Sequence, residues 1–238
     1  LEELESLPEL LVRTTAAVVL EPLIQGVNEM RPWPDGMLRE LRAWCDATGV
    51  QLILDEVMTG FGRTGTLFAC QQEDVIPDYL CLAKGLTGGY LPLAATLTSE
   101  AVYRAFDGAE NAFYYGHSYT ANQLGCAVAL ASLDVFRDER TLERVSELIP
   151  VFRETMAGLA GPGVAEVRTT GLMAGIDLEL SGTAGERGRE VCLAARKLGL
   201  LTRPILDTVV VMPPLAVSAA EIREIGDILA QALGRTSG

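Results

Sequence analysis

Short apolar runs of strand length alternate with longer stretches of helical period in the first part of this chain. The strand-like runs lie at 16–20, 51–54, 78–83 and 93–97. Between the first two, residues 34–47 place Leu38, Leu41 and Trp44 on one face of a predicted helix. Such alternation is typical of α/β units around a largely parallel sheet. We therefore predict an α/β fold with a mixed or parallel sheet.

The pattern changes in the last third of the chain, after two longer helical stretches. We predict buried helix 120–136, helices 141–159, 186–198 and 218–233, and strands 164–169, 172–178, 200–203 and 208–212. Short strands mixed with helices indicate a smaller α+β domain. We expect residues 1–150 to be the C-terminal part of a large domain and residues 151–238 to be the small domain.

Composition and charge exclude several classes of function. The 238 residues are 49% hydrophobic and carry a net charge of −13, without a Lys/Arg cluster that would indicate nucleic-acid binding. No apolar run reaches the length of a membrane span. Five scattered cysteines and one histidine, His117, show no metal-ligand spacing, so we predict no metal and reduced thiols in a cytoplasmic protein.

The beginning of the chain has an unusual pattern. It opens at Leu1 without a methionine, and an acidic helical stretch over residues 1–5 leads into the strand predicted at 16–20, which we expect to be buried. This order is typical of the middle of a domain. We therefore expect the sequence to be the C-terminal part of something longer.

Lys84 stands at the point where an apolar strand breaks into glycines. It is one of only two lysines, against seventeen arginines, and we expect it to be buried. Burial disfavours a charged amine, whereas the neutral amine is a nucleophile that forms Schiff bases. Asp55 follows another strand, and the carboxyl ends of strands form the ligand crevice of such sheets. A strand-end lysine and aspartate indicate pyridoxal phosphate (PLP), with the lysine on its aldehyde and the aspartate on its ring nitrogen.

Two motifs place the chain beside a known family. Residues 55–65 (DEVMTGFGRTG) resemble the signature of class III PLP-dependent aminotransferases of fold type I, and residues 82–86 (LAKGL) fit the segment with their Schiff-base lysine. The resemblance runs through the whole chain. It implies that Lys84 binds the cofactor and moves the proton of the reaction, that Asp55 pairs with the ring nitrogen, and that Val57 packs on the ring.

Further runs narrow the resemblance within the family. Residues 85–98, residues 116–127, and Arg203 with residues 212–214 are similar to the members that transfer an amino group to 8-amino-7-oxononanoate in biotin biosynthesis. The resemblance leaves the amino donor open between S-adenosylmethionine and lysine. Another class III activity, on an ω-amino acid or a diamine, is an alternative. A non-catalytic assembly half or inactive fragment is a third.

The narrower match implies a cofactor site on one loop. Ser118 would reach the cofactor phosphate across a dimer interface, with His117 beside it and Gly116 in the substrate site. The alternative for Ser118 is a helix N-cap, for which Thr120 is equally suited.

Several other charged residues are candidates for the site. Arg203 matches the arginine that grips the substrate carboxylate, and Arg63 matches a position that lines the active site. A structural salt bridge is the alternative for Arg63. Glu21 and Glu56 either belong to the site or hydrogen-bond neighbouring loops.

The family also implies partners. Its members are homodimers with the active site at the interface, acting on a small-molecule amino donor and a keto acid. They are nearly twice as long, and their N-terminal part supplies much of the cofactor pocket. We therefore expect this chain alone to bind PLP weakly, to transaminate little, to leave hydrophobic sheet edges, and to need an N-terminal half, either its own or a separate polypeptide.

Overall fold

A computed structural model describes residues 9–180 and 182–235, which form two compact units. The first unit includes residues 9–23, 34–61 and 66–140, and the second includes 24–33, 62–65 and the chain after 140. The boundary expected at residue 150 falls within a helix of the second unit. The acidic stretch over residues 1–5 lies outside the described residues.

The helices and strands follow the predicted alternation closely. The helices are α1 (Glu9–Thr14), α2 (Met37–Thr48), α3 (Glu100–Arg104), α4 (Gln123–Asp138), α5 (Thr141–Ala157), α6 (Glu186–Lys197) and α7 (Ala219–Arg235). The strands are β1 (Ala17–Leu20), β2 (Ile24–Gln25), β3 (Arg31–Pro32), β4 (Gln51–Asp55), β5 (Tyr79–Leu82), β6 (Ala95–Thr98), β7 (Val164–Thr170), β8 (Met173–Leu178), β9 (Pro204–Ile205) and β10 (Thr208–Val211).

The sheet of the first unit has the order β1-β4-β5-β6. Strands β1, β4 and β5 are parallel, whereas β6 runs antiparallel to β5. Because parallel strands share one direction, the residues that follow β1, β4 and β5 all lie at the same edge of the sheet. This edge is where the sequence places its candidate residues.

Helix α2 covers one face of this sheet. Its buried residues Leu38, Leu41 and Cys45 recur at helical spacing and pack in one core with Leu52 and Leu54 of β4. Each fully buried leucine contributes about 2 kcal/mol through apolar burial. This packing fixes the position of β4 and therefore of the residues after it.

A carboxylate distant in sequence satisfies the beginning of α2. The residue before the helix is Gly36, which offers no side-chain cap. Instead, Glu73 Oε1 accepts the Gly36 N–H at 3.0 Å, and its Oε2 accepts the Arg39 N–H at 2.9 Å. Negative charge is favourable at a helix N-terminus. Glu73 thereby connects α2 to the short 3₁₀ turn Ala69–Glu73.

Both edge strands of the first sheet expose apolar side chains. Val19 on β1 is 62% exposed and Leu97 on β6 is 47% exposed. This confirms the expected hydrophobic edges. It also shows that β1, predicted as a buried strand, is an edge strand whose side chains are covered only in part.

Helix α4 is exposed along much of its length, so the expectation of a buried helix is wrong. Among its residues, only Gly125 and Ala129 are buried, while Leu124 and Leu130 are 70% and 65% exposed. The helix packs through its small residues, since Gly125 leaves room for Leu93 at its surface. An Ala- and Leu-rich composition does not distinguish this arrangement from full burial.

The second unit is an antiparallel sheet in the order β7-β8-β10-β9 with helices α5, α6 and α7. Phe152, Ile176, Val191, Val209 and Leu229 are among the residues of its apolar core. This is the α+β arrangement that the sequence predicts.

The strand predicted at 200–203 is wrong. The strand begins at Pro204 instead, where β9 pairs with β10, and of residues 200–203 Arg203 accepts the Val210 N–H at its carbonyl at 3.3 Å.

A buried ion pair stabilises the second unit. Arg168 is 7% exposed and donates to both carboxylate oxygens of Asp177, at 2.5 and 2.6 Å. Its second terminal nitrogen also donates to the Glu29 carbonyl at 2.6 Å, which attaches the segment 24–33 to this unit. The Thr208 hydroxyl donates to Asp177 as well.

All five cysteines are free thiols, three of them buried. Within residues 9–180 and 182–235, no helix has both the length and the apolar character needed to cross a membrane.

Candidate active site

Three charged residues lie at or just after the carboxyl ends of the parallel strands. Leu20 of β1 pairs with Leu54 of β4, and Asp55 pairs with Cys81 of β5. Glu21 and Asp55 therefore lie at matched positions, and Lys84 comes three residues after Cys81. The structure thus brings Glu21, Asp55 and Lys84 to one edge of the first unit.

Lys84 is exposed, so the expectation of a buried lysine is wrong. The last buried residue of the strand is Leu82, and Lys84 begins the 3₁₀ turn Lys84–Thr87 with a positive φ of 40°. Among the residues that the structure describes, its amine has no hydrogen-bond or ion-pair partner. An amine in this position is accessible to a ligand at the edge of the sheet.

Asp55 lies on the face of β4 that points away from the α2 core. Burial alternates along this strand, with Leu52, Leu54 and Glu56 buried and Asp55 only partly buried. Asp55 Oδ1 accepts the Val57 N–H at 3.0 Å. Its Oδ2 accepts no hydrogen bond from residues 9–180 or 182–235. One carboxylate oxygen is therefore held by the backbone, and the other is available to a ligand.

Glu56 is a structural residue, which confirms the interpretation that it hydrogen-bonds neighbouring loops. It is fully buried, and its Oε2 accepts the Thr59 hydroxyl at 3.1 Å and the Ala69 N–H at 2.7 Å. Its Oε1 accepts the Cys70 N–H at 2.9 Å. Burial, with a smaller contribution from the charge of Glu56, raises the pKa of the Cys70 thiol to about 12. Glu56 thus ties the residues after Asp55 to the 3₁₀ turn Ala69–Glu73.

Phe61 packs directly against the residue that follows Lys84. A methyl group built on Gly85 would lie 2.7 Å from Phe61 Cβ and 3.0 Å from its Cδ2. Phe61 is 3% exposed, has a φ of 57°, and donates its N–H to the Leu67 carbonyl at 2.6 Å. Only glycine at position 85 permits this approach.

The loop 116–120 is exposed and held by its own hydrogen bonds. The Thr120 hydroxyl accepts the His117 N–H at 2.9 Å, and His117 Nδ1 accepts the Tyr119 N–H at 3.1 Å. Gly116 and Ser118 are exposed. No hydrogen bond in the described part of the chain joins this loop to Lys84 or Asp55.

The N-cap of helix α4 is Asn122, whose Oδ1 accepts the Gly125 N–H at 3.1 Å. The alternative in which Ser118 or Thr120 caps the helix is therefore wrong, because α4 begins only at Gln123.

Arg63 belongs to the second unit. Its Nη1 donates to the Pro213 carbonyl at 2.5 Å, and burial lowers the pKa of its guanidinium. No carboxylate in the described ranges pairs with it, so the alternative of a structural salt bridge is wrong there. A carbonyl partner leaves the positive charge of Arg63 without a counter-charge.

Arg203 lines a groove of about 790 Å³ in the second unit. The same groove is lined by residues 212–214, the run that shares the narrower resemblance, and by Glu221. Arg203 is exposed, and in the part of the chain that the structure describes its guanidinium has no carboxylate partner. The groove is apolar apart from these few polar groups, which suits a ligand with an apolar chain and a carboxylate.

Sequence reasoning missed two residues that hold the lysine turn. Phe61 lies within the recognised motif, but nothing in the pattern shows what its ring contacts. Thr87 is buried, and its hydroxyl donates to the Leu91 carbonyl at 2.6 Å, which closes the loop after Lys84. A threonine within a glycine-rich run was the only signal for the second contact.

Comparison with known proteins shows where this geometry recurs. The chain matches the family of class III aminotransferases over residues 1–233. Adenosylmethionine-8-amino-7-oxononanoate aminotransferase of Nitratidesulfovibrio vulgaris is 48% identical over 220 residues, which are 88% of this chain and 41% of that protein. The enzyme of the same name from Geobacter sulfurreducens is 41% identical over 100% of this chain and 55% of its own length.

Solved structures show the same relationship. The crystal structure of adenosylmethionine-8-amino-7-oxononanoate aminotransferase from Methanocaldococcus jannaschii has a TM-score of 0.94 at 38% identity and covers 98% of this chain and 57% of that one. A PLP-bound amine transaminase from an uncultivated Pseudomonas species has a TM-score of 0.93 at 33% identity, covering 98% and 55%. The chain thus spans about half the length of the proteins it matches.

These likenesses confirm a mixed α/β fold of the kind found in fold type I PLP-dependent transaminases. The chain belongs to the family of class III aminotransferases.

Proposed function

We propose that this chain carries the lysine of a PLP-dependent aminotransferase that converts 8-amino-7-oxononanoate to 7,8-diaminononanoate in biotin biosynthesis. The observation that carries the proposal is the strand edge of the first unit. There the Lys84 amine, without a partner among the described residues, and an Asp55 carboxylate with one available oxygen lie at the ends of neighbouring parallel strands. The names of the relatives, at 48% and 41% identity, support the substrate.

The residues at this edge fit pyridoxal phosphate. That cofactor needs a primary amine for its aldehyde and a carboxylate for its ring nitrogen, and it supplies an electron-withdrawing ring that stabilises carbanions. Lys84 offers the amine, and Asp55 Oδ2 offers the acceptor. The Val57 N–H already fixes Asp55 Oδ1, so the carboxylate is oriented before the cofactor binds. The protonated ring nitrogen of the cofactor would then lie beside Asp55 Oδ2.

Each residue at the edge then has a separate task. Lys84 would hold the cofactor through its amine, and its Nζ, when free, would take up and return a proton as a general base and acid. Asp55 holds the ring nitrogen. Val57, whose N–H fixes Asp55, supplies an apolar surface for the ring.

We propose a phosphate contact for Ser118. It is exposed in the loop before α4, and it has no capping role because Asn122 is the cap. His117 supports this loop through its Nδ1, beside the cofactor, and Gly116 leaves space for substrate. This loop would serve the partner subunit of a homodimer, as the sequence predicts.

We propose that Arg203 binds the substrate carboxylate. An arginine fork matches two carboxylate oxygens with two N–H donors, and the Arg203 fork is exposed at an apolar groove. Arg63 contributes a second positive charge to the substrate site. Its charge faces only a carbonyl, which leaves it able to attract an anion.

The remaining partners stay predictions. They are a small-molecule amino donor, either S-adenosylmethionine or lysine, a keto acid, and an N-terminal half supplied by a longer chain or a second polypeptide. A cytoplasmic location and the lack of nucleic-acid or membrane partners are predictions of the same kind. The alternatives of another class III substrate and of an inactive fragment have less support, since the relatives with the higher identities carry one name.

Product formation tests the proposed function. The purified chain is combined with the N-terminal half of the Geobacter relative and PLP, then given 8-amino-7-oxononanoate with S-adenosylmethionine or with lysine. We expect 7,8-diaminononanoate with one donor and none with Lys84→Ala. Product that persists in Lys84→Ala, or turnover only of diamines or ω-amino acids, would contradict the proposal. The donor that gives product decides the open choice.

A further inference from the structure

The residue that contacts the backbone beside Lys84 is Phe61, from a different loop. A methyl group on Gly85 would meet three Phe61 atoms, Cβ at 2.7 Å, Cδ2 at 3.0 Å and Cγ at 3.1 Å. Ordinary contacts between carbon atoms lie at about 3.5–4.0 Å. The backbone after Lys84 therefore rests directly against the Phe61 side chain, with no room for a side chain between them.

Phe61 is itself held in a conformation that it would not adopt freely. A φ of 57° is unusual for a bulky residue, and such strain persists only where the surroundings impose it. Three neighbours impose this conformation on Phe61. The Leu67 carbonyl accepts the Phe61 N–H at 2.6 Å, and the rings of Phe68 and Phe136 contact the Phe61 ring at centroid distances of 5.7 and 6.4 Å. These contacts hold the backbone and the ring of Phe61 in one position.

The segment between Asp55 and Phe61 is equally constrained. Glu56 is anchored by three hydrogen bonds, and its N–H donates to the Cys81 carbonyl of β5 at 3.0 Å. Gly60 lies so close that a methyl group on it would be 2.8 Å from the Glu56 carbonyl oxygen. One short segment therefore begins next to Asp55 and ends against the residue next to Lys84.

We propose that Phe61 is a positioning residue for Lys84. Acting through Gly85, its side chain fixes where the lysine turn leaves β5 and hence where the amine lies relative to Asp55. This inference rests on the proposed function, because the amine's position matters only if Lys84 binds the cofactor. Phe61 does not touch the ligand; it acts through the backbone.

The chain offers an internal standard for the test, because Lys84 and Lys197 are its only lysines and both are exposed. The 238-residue chain, combined with the N-terminal half of the Geobacter relative, is incubated with PLP and reduced with borohydride, and the peptides of the 238-residue chain are quantified by mass spectrometry. The ratio of pyridoxyl adduct at Lys84 to that at Lys197 (the adduct ratio) measures how well the first amine is placed. Generic aldehyde reactivity cancels between the two lysines.

Two variants perturb the contact from opposite sides. Phe61→Ala removes the Cγ and Cδ2 atoms, and Gly85→Ala inserts a methyl group against Phe61 Cβ. We expect each to lower the adduct ratio about tenfold, since displacements near 1 Å at a reactive group have effects of this size or larger. Phe61→Leu retains Cβ, Cγ and a Cδ2 methyl and should restore most of the ratio.

Phe136→Leu is the matched control, because it removes aromatic packing from Phe61, whereas the three atoms nearest to a methyl group on Gly85 all belong to Phe61 itself. It should change the adduct ratio less than about twofold. Urea unfolding of every variant shows which are folded, and either Phe61→Ala or Gly85→Ala alone suffices for the test.

The possible outcomes distinguish a failure of the proposed function from a failure of the role assigned to Phe61. A wild-type adduct ratio near one would overturn the proposed function. A high wild-type ratio that Phe61→Ala or Gly85→Ala lowers no more than Phe136→Leu would overturn the role of Phe61 and leave the proposed function standing.

Discussion

Replacement of Glu56 should destabilise the first unit strongly, although the residue lies beside a candidate catalytic aspartate. The Ala69 and Cys70 N–H groups are each served by one Glu56 oxygen, at 2.7 and 2.9 Å, in a fully buried site. A buried donor that loses its partner costs about 1–3 kcal/mol. Glu56→Ala leaves two such donors, so we expect a loss of about 4 kcal/mol.

The glutamine variant gives a graded comparison. Gln has one carbonyl oxygen, so Glu56→Gln leaves one N–H group facing an amide and should cost about 2 kcal/mol. The assay is urea unfolding followed by Trp44 fluorescence in a Trp33→Phe background, because Trp44 belongs to the α2 core. The exposed Glu40 provides the control variant Glu40→Gln, expected within about 0.5 kcal/mol of the parent. A Glu56→Ala protein within about 1 kcal/mol of the parent would refute this reasoning.

Three further predictions concern stability. Glu73→Gln should cost about 1 kcal/mol, because one acceptor for the first turn of α2 is lost; guanidinium unfolding curves that coincide with the parent's would contradict this. Asn122→Ala should cost about 1 kcal/mol through loss of the α4 cap, checked by thermal unfolding, while Asn122→Asp should restore most of it. Partial burial raises the pKa of Asp177, but hydrogen bonds from Arg168 and Thr208 and the charge of Arg168 outweigh it and leave the pKa below its ordinary value. The native state therefore binds its proton later than the unfolded chain, so the stabilisation is present above the ordinary pKa of about 4 and is lost as the pH falls through the lower native value. Urea unfolding from pH 7 down to pH 2 should show this loss, and Asp177→Asn should remove that part of the pH dependence and cost about 3 kcal/mol at pH 7, because it leaves Arg168 without its bidentate partner.

Local periodicity was sufficient for most of the secondary structure. Each strand that borders the candidate site is a short apolar run, and helix α2 shows its apolar face at helical spacing. The same reasoning placed Asp55 and Lys84 at strand ends, and because β4 and β5 are parallel neighbours this brings them to one edge. Position along a strand is a local property, so the sequence carries it.

The features that the sequence did not reveal depend on distant contacts. Glu73 caps a helix 37 residues away from it in sequence, and no local pattern encodes that partner. Lys84 is exposed because the buried part of β5 ends at Leu82, which periodicity alone does not show. The cap of α4 was misplaced because Ser118, Thr120 and Asn122 are all suitable caps, and the choice depends on where the helix begins.

The placement of Lys84 beside Asp55 is the central claim, and the adduct ratio of the wild-type chain tests it most directly. With the N-terminal half of the Geobacter relative present, the pyridoxyl adduct formed by incubation with PLP and borohydride reduction should lie mainly on Lys84 rather than on Lys197, which is also exposed. Asp55→Asn should lower the ratio, because a neutral amide no longer favours a protonated ring nitrogen. Equal labelling of the two lysines, or a ratio unchanged in Asp55→Asn, would contradict the account.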